Sequence, residues 1–160
     1  MHRHALAFIF LAAAATWGTH AADLVATGFL KTELAPFNGE AGAPIYLGLQ
    51  GLVFDVSSSP HFYGPGAPYT SLAGRDSSRA ITLMSLEPAD LELEDDMSGI
   101  SDAERQELKL IFEETYVRKY PIVGLITDSR AIPPGVPSGD WFAEVTGLSA
   151  EIGPARIQDL

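Results

Sequence analysis

The stretch HFYGPGAPYTSLAGRDSSR, residues 61–79, decides the reading of this chain. Tyr63 and Tyr69 bracket Gly64, Pro65, Gly66, Ala67 and Pro68. Each proline fixes its own φ and restricts the residue before it, so the two phenols sit on a stiff arc. Residues 68–73 suit a short helix stopped by Gly74. Asp76 is a fitting N-cap for a second helix, expected over residues 77–85. The arc therefore places two aromatic hydroxyls just ahead of helical structure.

On the N-terminal side, residues 44–49 and 52–56 read as two strands joined by Gln50-Gly51, a β-hairpin. Ile45, Leu47 and Leu49 share one face of the first strand, and Leu52, Phe54 and Val56 one face of the second. Phe29-Leu30 reads as a strand end running into a short helix that closes at Phe37-Asn38-Gly39. On the C-terminal side, residues 87–96 are acidic, with no clear apolar period, and Glu92 to Asp96 suits a solvated charge run. Ser101-Asp102-Ala103-Glu104 is a capping box. Its helix is expected to run to about Lys119 and to stop before Pro121. At 100° per residue, Leu108, Ile111, Phe112, Thr115 and Lys119 fall on one stripe. A lysine on such a stripe must snorkel to water or meet an anion. Residues 120–126 read as a final strand.

The totals set limits. The chain has 160 residues, 46% of them hydrophobic, enough for one domain with a buried core. Residues 1–21 follow a secretory signal-peptide pattern: a basic start, an apolar run and small residues before a cleavage site. An uncleaved N-terminal anchor is the alternative, although the apolar run is short for a bilayer. Residues 22–28 form a lead-in, residues 29–126 the domain, and residues 127–160 a Pro/Gly-rich C-terminal extension. No transmembrane helix is expected in the mature chain. Secretion, with an endomembrane lumen as the alternative, is the expected localisation. With 21 acidic residues against 10 basic ones, neither nucleic acid nor anionic lipid is an expected partner.

Cysteine is absent, which excludes thiolate metal sites and cysteine nucleophiles. Of the four histidines, His2, His4 and His20 lie in the leader, leaving His61 alone. A zinc site built on several histidines does not fit, nor does haem held by two histidines of one chain. No acid/base or nucleophile constellation stands out, so an enzyme is not expected. Tyrosines are most often amphipathic residues at a core edge, and Tyr63 and Tyr69 could be only that. A phenol can also ligate ferric iron or donate to a carboxylate.

Several pieces resemble the cytochrome b5-like haem/steroid-binding domain of the membrane-associated progesterone receptor family. They are Pro44-Ile45-Tyr46-Leu47, Gly51-Leu52-Val53-Phe54-Asp55-Val56, Phe62-Tyr63-Gly64-Pro65-Gly66-Ala67-Pro68-Tyr69, Ala73-Gly74-Arg75-Asp76-Ser77-Ser78-Arg79 and Lys119-Tyr120-Pro121-Ile122-Val123-Gly124. The leader and Met84-Ser85-Leu86-Glu87-Pro88-Ala89-Asp90-Leu91 resemble the secreted, neudesin-type branch. The resemblance implies an α+β fold: a small sheet with helices forming a haem cleft. It implies haem b as cofactor, with Tyr69 as the axial iron ligand. Tyr63 and Lys119 match residues that hydrogen-bond the propionates, and Tyr120 one that contacts the ligand tyrosine. It further suggests a haem-mediated homodimer. Two functions follow: a haem-binding protein for haem-dependent signalling, carriage or association, or a secreted protein acting on a cell-surface receptor through its surface, with haem absent or modulatory. Steroid binding follows from the family name alone.

Overall fold

The computed structural model describes residues 26–131 and the backbone of residues 152–154. The expected signal peptide lies outside the described residues. Five strands, β1 (Ala26–Phe29), β2 (Tyr46–Leu49), β3 (Leu52–Asp55), β4 (Ile122–Ile126) and β5 (Ile152–Pro154), form one mixed sheet in the order β2-β3-β4-β1-β5. β2 and β3 are the expected hairpin, antiparallel, with Leu47 opposite Phe54 and Leu49 opposite Leu52. β4 runs antiparallel to β3 and parallel to β1. β1 thus begins inside the stretch read as a lead-in, and β5 lies inside the stretch read as an extension. Four residues of Ala-Thr-Gly-Phe carry too little alternation to show as a strand.

Alternation along the hairpin sends side chains to two faces. Leu47, Leu49, Leu52, Phe54 and Val56 join the main core with Leu72, Ile81, Leu108 and Phe112. On the other face, Phe29, Leu34, Val53 and Ile126 form a second cluster, packed against Phe37 and Tyr46. The Phe37 and Tyr46 rings stack at 4.5 Å, and Phe29 meets both edge-on.

Four helices cover the main core: α1 (Pro60–Tyr63), α2 (Ser78–Thr82), α3 (Pro88–Glu92) and α4 (Asp102–Ile111). α2 is shorter than expected. Its N-cap is Ser77 rather than the expected Asp76, which stands one residue earlier: Asp76 Oδ1 accepts from the Ser78 N–H at 3.0 Å, while Oδ2 accepts from Ser129 Oγ at 2.9 Å. α3 begins on Pro88, which is tolerated in a first helical turn because no N–H is needed there. The capping box of α4 forms in both directions. Ser101 N–H donates to Glu104 Oε2 at 2.7 Å, and Glu104 N–H donates to Ser101 Oγ at 3.3 Å. Beyond Ile111 the helix continues with wider π turns over Phe112–Val117 and ends near Lys119, as expected from Pro121.

The charge run is corrected. Asp95 is fully buried, because the Lys31 ammonium donates to it at 2.8 Å and the Arg130 backbone and guanidinium donate as well. Its paired cations lie 64 and 35 residues away in sequence, so no local pattern discloses them.

Candidate functional site

The arc of residues 63–69 is a closed piece of backbone. Pro60 opens α1 and Gly64 ends it, with the Gly64 N–H donating to Pro60 O at 2.8 Å. A Cβ on Gly64 would lie 2.6 Å from that same oxygen, so only glycine fits. Ala67 N–H donates to Gly64 O at 3.0 Å, and Tyr69 N–H returns to Phe62 O at 2.9 Å. These bonds fix the spacing of the tyrosines, whose ring centroids lie 6.3 Å apart. Tyr63 faces inward at 7% exposure, whereas Tyr69 is 43% exposed.

Both tyrosines line one open cleft of about 290 Å³. Its apolar walls come from Leu72 after the arc, Ala80 and Ile81 on α2, Met84 and Leu86 after it, and Ile111 on α4. Thr115 and Tyr116 complete it from the π segment, and Ser85 from the loop after α2. Met84 is 78% exposed and Leu86 41%, so apolar surface remains uncovered around the cleft.

Tyr116 is the site residue that periodicity missed. Straight 100° counting puts Thr115 on the buried stripe. The π turns advance by less than 100° per residue, so Thr115 is exposed and Tyr116 is buried. The Tyr116 and Tyr63 hydroxyls lie 3.2 Å apart. Burial pushes both phenols up from the ordinary tyrosine range, and for Tyr63 the adjacent Tyr116 adds to the rise.

Lys119 and Tyr120 stand beside this pair. Tyr120 is buried, meets Tyr63 edge-on at 6.1 Å, and donates to Ser59 Oγ at 3.1 Å. Burial alone would raise its pKa, but the hydrogen bond with Ser59 and the Lys119 ammonium bring it below the usual phenol value. Lys119 reaches solvent, with its ammonium 5.6 Å from the Phe62 ring centroid and 5.0 Å from that of Tyr120. It snorkels over aromatic faces, as a cation at the end of an apolar stripe does. Tyr63 and Tyr69 therefore share the cleft, while Lys119 and Tyr120 flank it through the rings of Phe62 and Tyr63.

These residues suit an apolar ring ligand with a few polar atoms. Leu72, Ala80, Ile81 and Ile111 would cover a flat apolar face, and an exposed phenol offers a hard oxygen donor of the kind ferric iron accepts. The donor set thus fits haem.

The chain belongs to the family of cytochrome b5-like heme/steroid binding domains, whose model matches residues 31–125, and within it to the membrane-associated progesterone receptor group. It is 36% identical to membrane steroid-binding protein 1 of Oryza sativa over 76% of this chain and 51% of that protein. It is 39% identical to neuferricin of Mus musculus over 66% of this chain and 41% of that protein. Among solved structures, a hypothetical protein of Arabidopsis thaliana with a cytochrome b5 like fold matches at a TM-score of 0.55 and 32% identity, over 63% of this chain and 91% of that one. The chain spans about half the length of the membrane steroid-binding proteins it matches. Among the described residues, no helix is long and apolar enough to cross a membrane.

Proposed function

We propose that this protein binds ferric haem b in the Tyr63–Tyr69 cleft, with the Tyr69 phenolate as iron ligand. The observation that carries the reading is Tyr69 itself, a half-exposed phenol beside an apolar cleft, held on an arc that its own hydrogen bonds close. Leu72, Ala80, Ile81 and Ile111 would pack on the macrocycle, and Tyr63 and Lys119 would serve its carboxylates. When bound, the haem supplies a ferric centre, which an anionic oxygen ligand favours over the ferrous state. That preference disfavours rapid electron shuttling and suits haem carriage, sensing or haem-dependent association, including a homodimer. The role is binding rather than catalysis. The leader pattern of residues 1–21 supports secretion, and a cell-surface receptor is the corresponding protein partner.

A steroid is the second reading. The apolar lining of the cleft and the names of the plant relatives, membrane steroid-binding proteins, favour it.

Haemin titration of the leader-free chain, followed by absorbance, tests the first reading. Wild-type protein is expected to give a high-spin ferric tyrosinate spectrum, and Tyr69→Phe to abolish it. An unchanged spectrum in Tyr69→Phe would overturn the ligand assignment. Parallel titration with a radiolabelled steroid decides the second.

A further inference from the structure

The end of α2 is built at a cost in stability. Met84 N–H donates to Ile81 O at 3.1 Å and Ser85 N–H donates to Ala80 O at 2.9 Å, the paired bonds of a Schellman cap. Such a cap needs one left-handed residue, usually glycine, and here Met84 fills the place at φ 49°. Among the described residues, four non-glycines have positive φ: Ala41, Gln50, Met84 and Glu94. Gln50 is accounted for by the hairpin turn. Met84 is the one with a large apolar side chain, and the one that lines the cleft. Burial does not offset its strain, because the side chain is mostly exposed and belongs to neither core cluster. A strained residue with no packing reason points to a role at the site it borders. The exposed apolar lining of the cleft is Tyr69, Met84 and Leu86, so Met84 and Tyr69 both stand where the cleft meets water. A methionine side chain is unbranched, flexible and polarisable, and it fits itself to an aromatic face more readily than a branched one.

We propose that Met84 is an affinity-determining residue of the cleft: its side chain lies in water in the free protein and packs onto the ring of the bound ligand, presented there by the left-handed end of α2. This deepens the haem reading and rests on it for the identity of the ring. The apolar contact of Met84 is gained only when the ligand is bound, while its backbone strain is carried by the free protein as well. Fold stability and ligand affinity therefore pull in opposite directions at Met84.

The test pairs urea unfolding of the ligand-free protein with haemin titration, on the leader-free chain and its Met84→Gly and Met84→Leu variants. Met84→Gly suits the left-handed position and removes the side chain. Its urea midpoint is expected to equal or exceed that of wild type, while its haemin affinity falls about three- to tenfold. Met84→Leu keeps the apolar bulk and is expected to bind haemin within about twofold of wild type. A lower midpoint for Met84→Gly, or undiminished haemin binding by it, would overturn the proposal. A second readout locates the side chain. Outside the leader the methionines are Met84 and Met97, and Met97 packs against the main core. With ¹³C-methyl methionine labelling and gallium(III) protoporphyrin as a diamagnetic probe, the ring current is expected to move the Met84 signal upfield and to leave that of Met97 nearly still. Wild-type protein that binds this porphyrin with an unmoved Met84 signal overturns the present inference alone. Wild-type protein that takes up neither haemin nor gallium(III) protoporphyrin overturns the haem reading, and this inference with it.

Discussion

Single residues set how closely the backbone can pack in this small sheet. Gly124 on β4 pairs with Thr27 on β1. A Cβ there would lie 2.3 Å from the Thr27 carbonyl oxygen and 2.5 Å from the Phe29 ring. The first of these obstacles is backbone and cannot rotate away. Gly124→Ala is therefore expected to destabilise by about 3 kcal/mol or more, read from the urea midpoint. Residue-level legibility was uneven. Tyr63 and Tyr69 stood out because prolines and glycines surround them. Tyr116 did not, since nothing in Phe-Glu-Glu-Thr-Tyr-Val announces a change of helical pitch. Asp95 was misread for a related reason: burial is imposed by Lys31 and Arg130, residues far away in sequence.

Elements were legible where their signals are local. The hairpin followed from alternation about Gln50-Gly51, and α4 from its capping box, because both depend on neighbours within a few residues. The box should be measurable. Ser101→Ala removes the acceptor for Glu104 N–H, and a loss of about 1 kcal/mol in urea unfolding is expected. β1 was legible only at its end, Phe29, and β5 not at all, since a short strand in a mixed sheet is defined by its partner rather than by its own pattern. α3 left a trace in Pro88 at its first position, but a single turn carries too little period to be told from loop.

At the scale of the whole molecule, the buried acids Asp76 and Asp95 respond to pH in opposite directions. Burial alone would raise Asp95, yet the hydrogen bonds from Lys31 and Arg130 hold it below the usual carboxylate range. Its contribution to stability is therefore present above the ordinary aspartate pKa and lost as pH falls through the lowered folded value. For Asp76, burial outweighs the hydrogen bonds from Ser78 and Ser129 and raises the pKa. Its contribution is full below the ordinary value and is lost as pH rises through the folded one. Asp95→Asn is expected to cost about 2–3 kcal/mol at neutral pH, since it leaves the Lys31 ammonium without its nearest partner. The gap to wild type should begin to narrow below about pH 4, where the aspartate of the unfolded chain takes up its proton while the folded carboxylate still holds its charge. Urea midpoints of the two proteins at pH 7 and pH 3 check both statements.

The wide turns over Phe112–Val117 divide one continuous helix into two jurisdictions. Residues before them are phased from the capping box and answer to the sheet, as Leu108 does. Ile111, just before them, already reaches the cleft, Tyr116 enters it from within them, and Lys119 and Tyr120 follow beside it. The break acts as a gear change in angular register, turning Tyr116 rather than Thr115 into the core at the cleft end of the same rod.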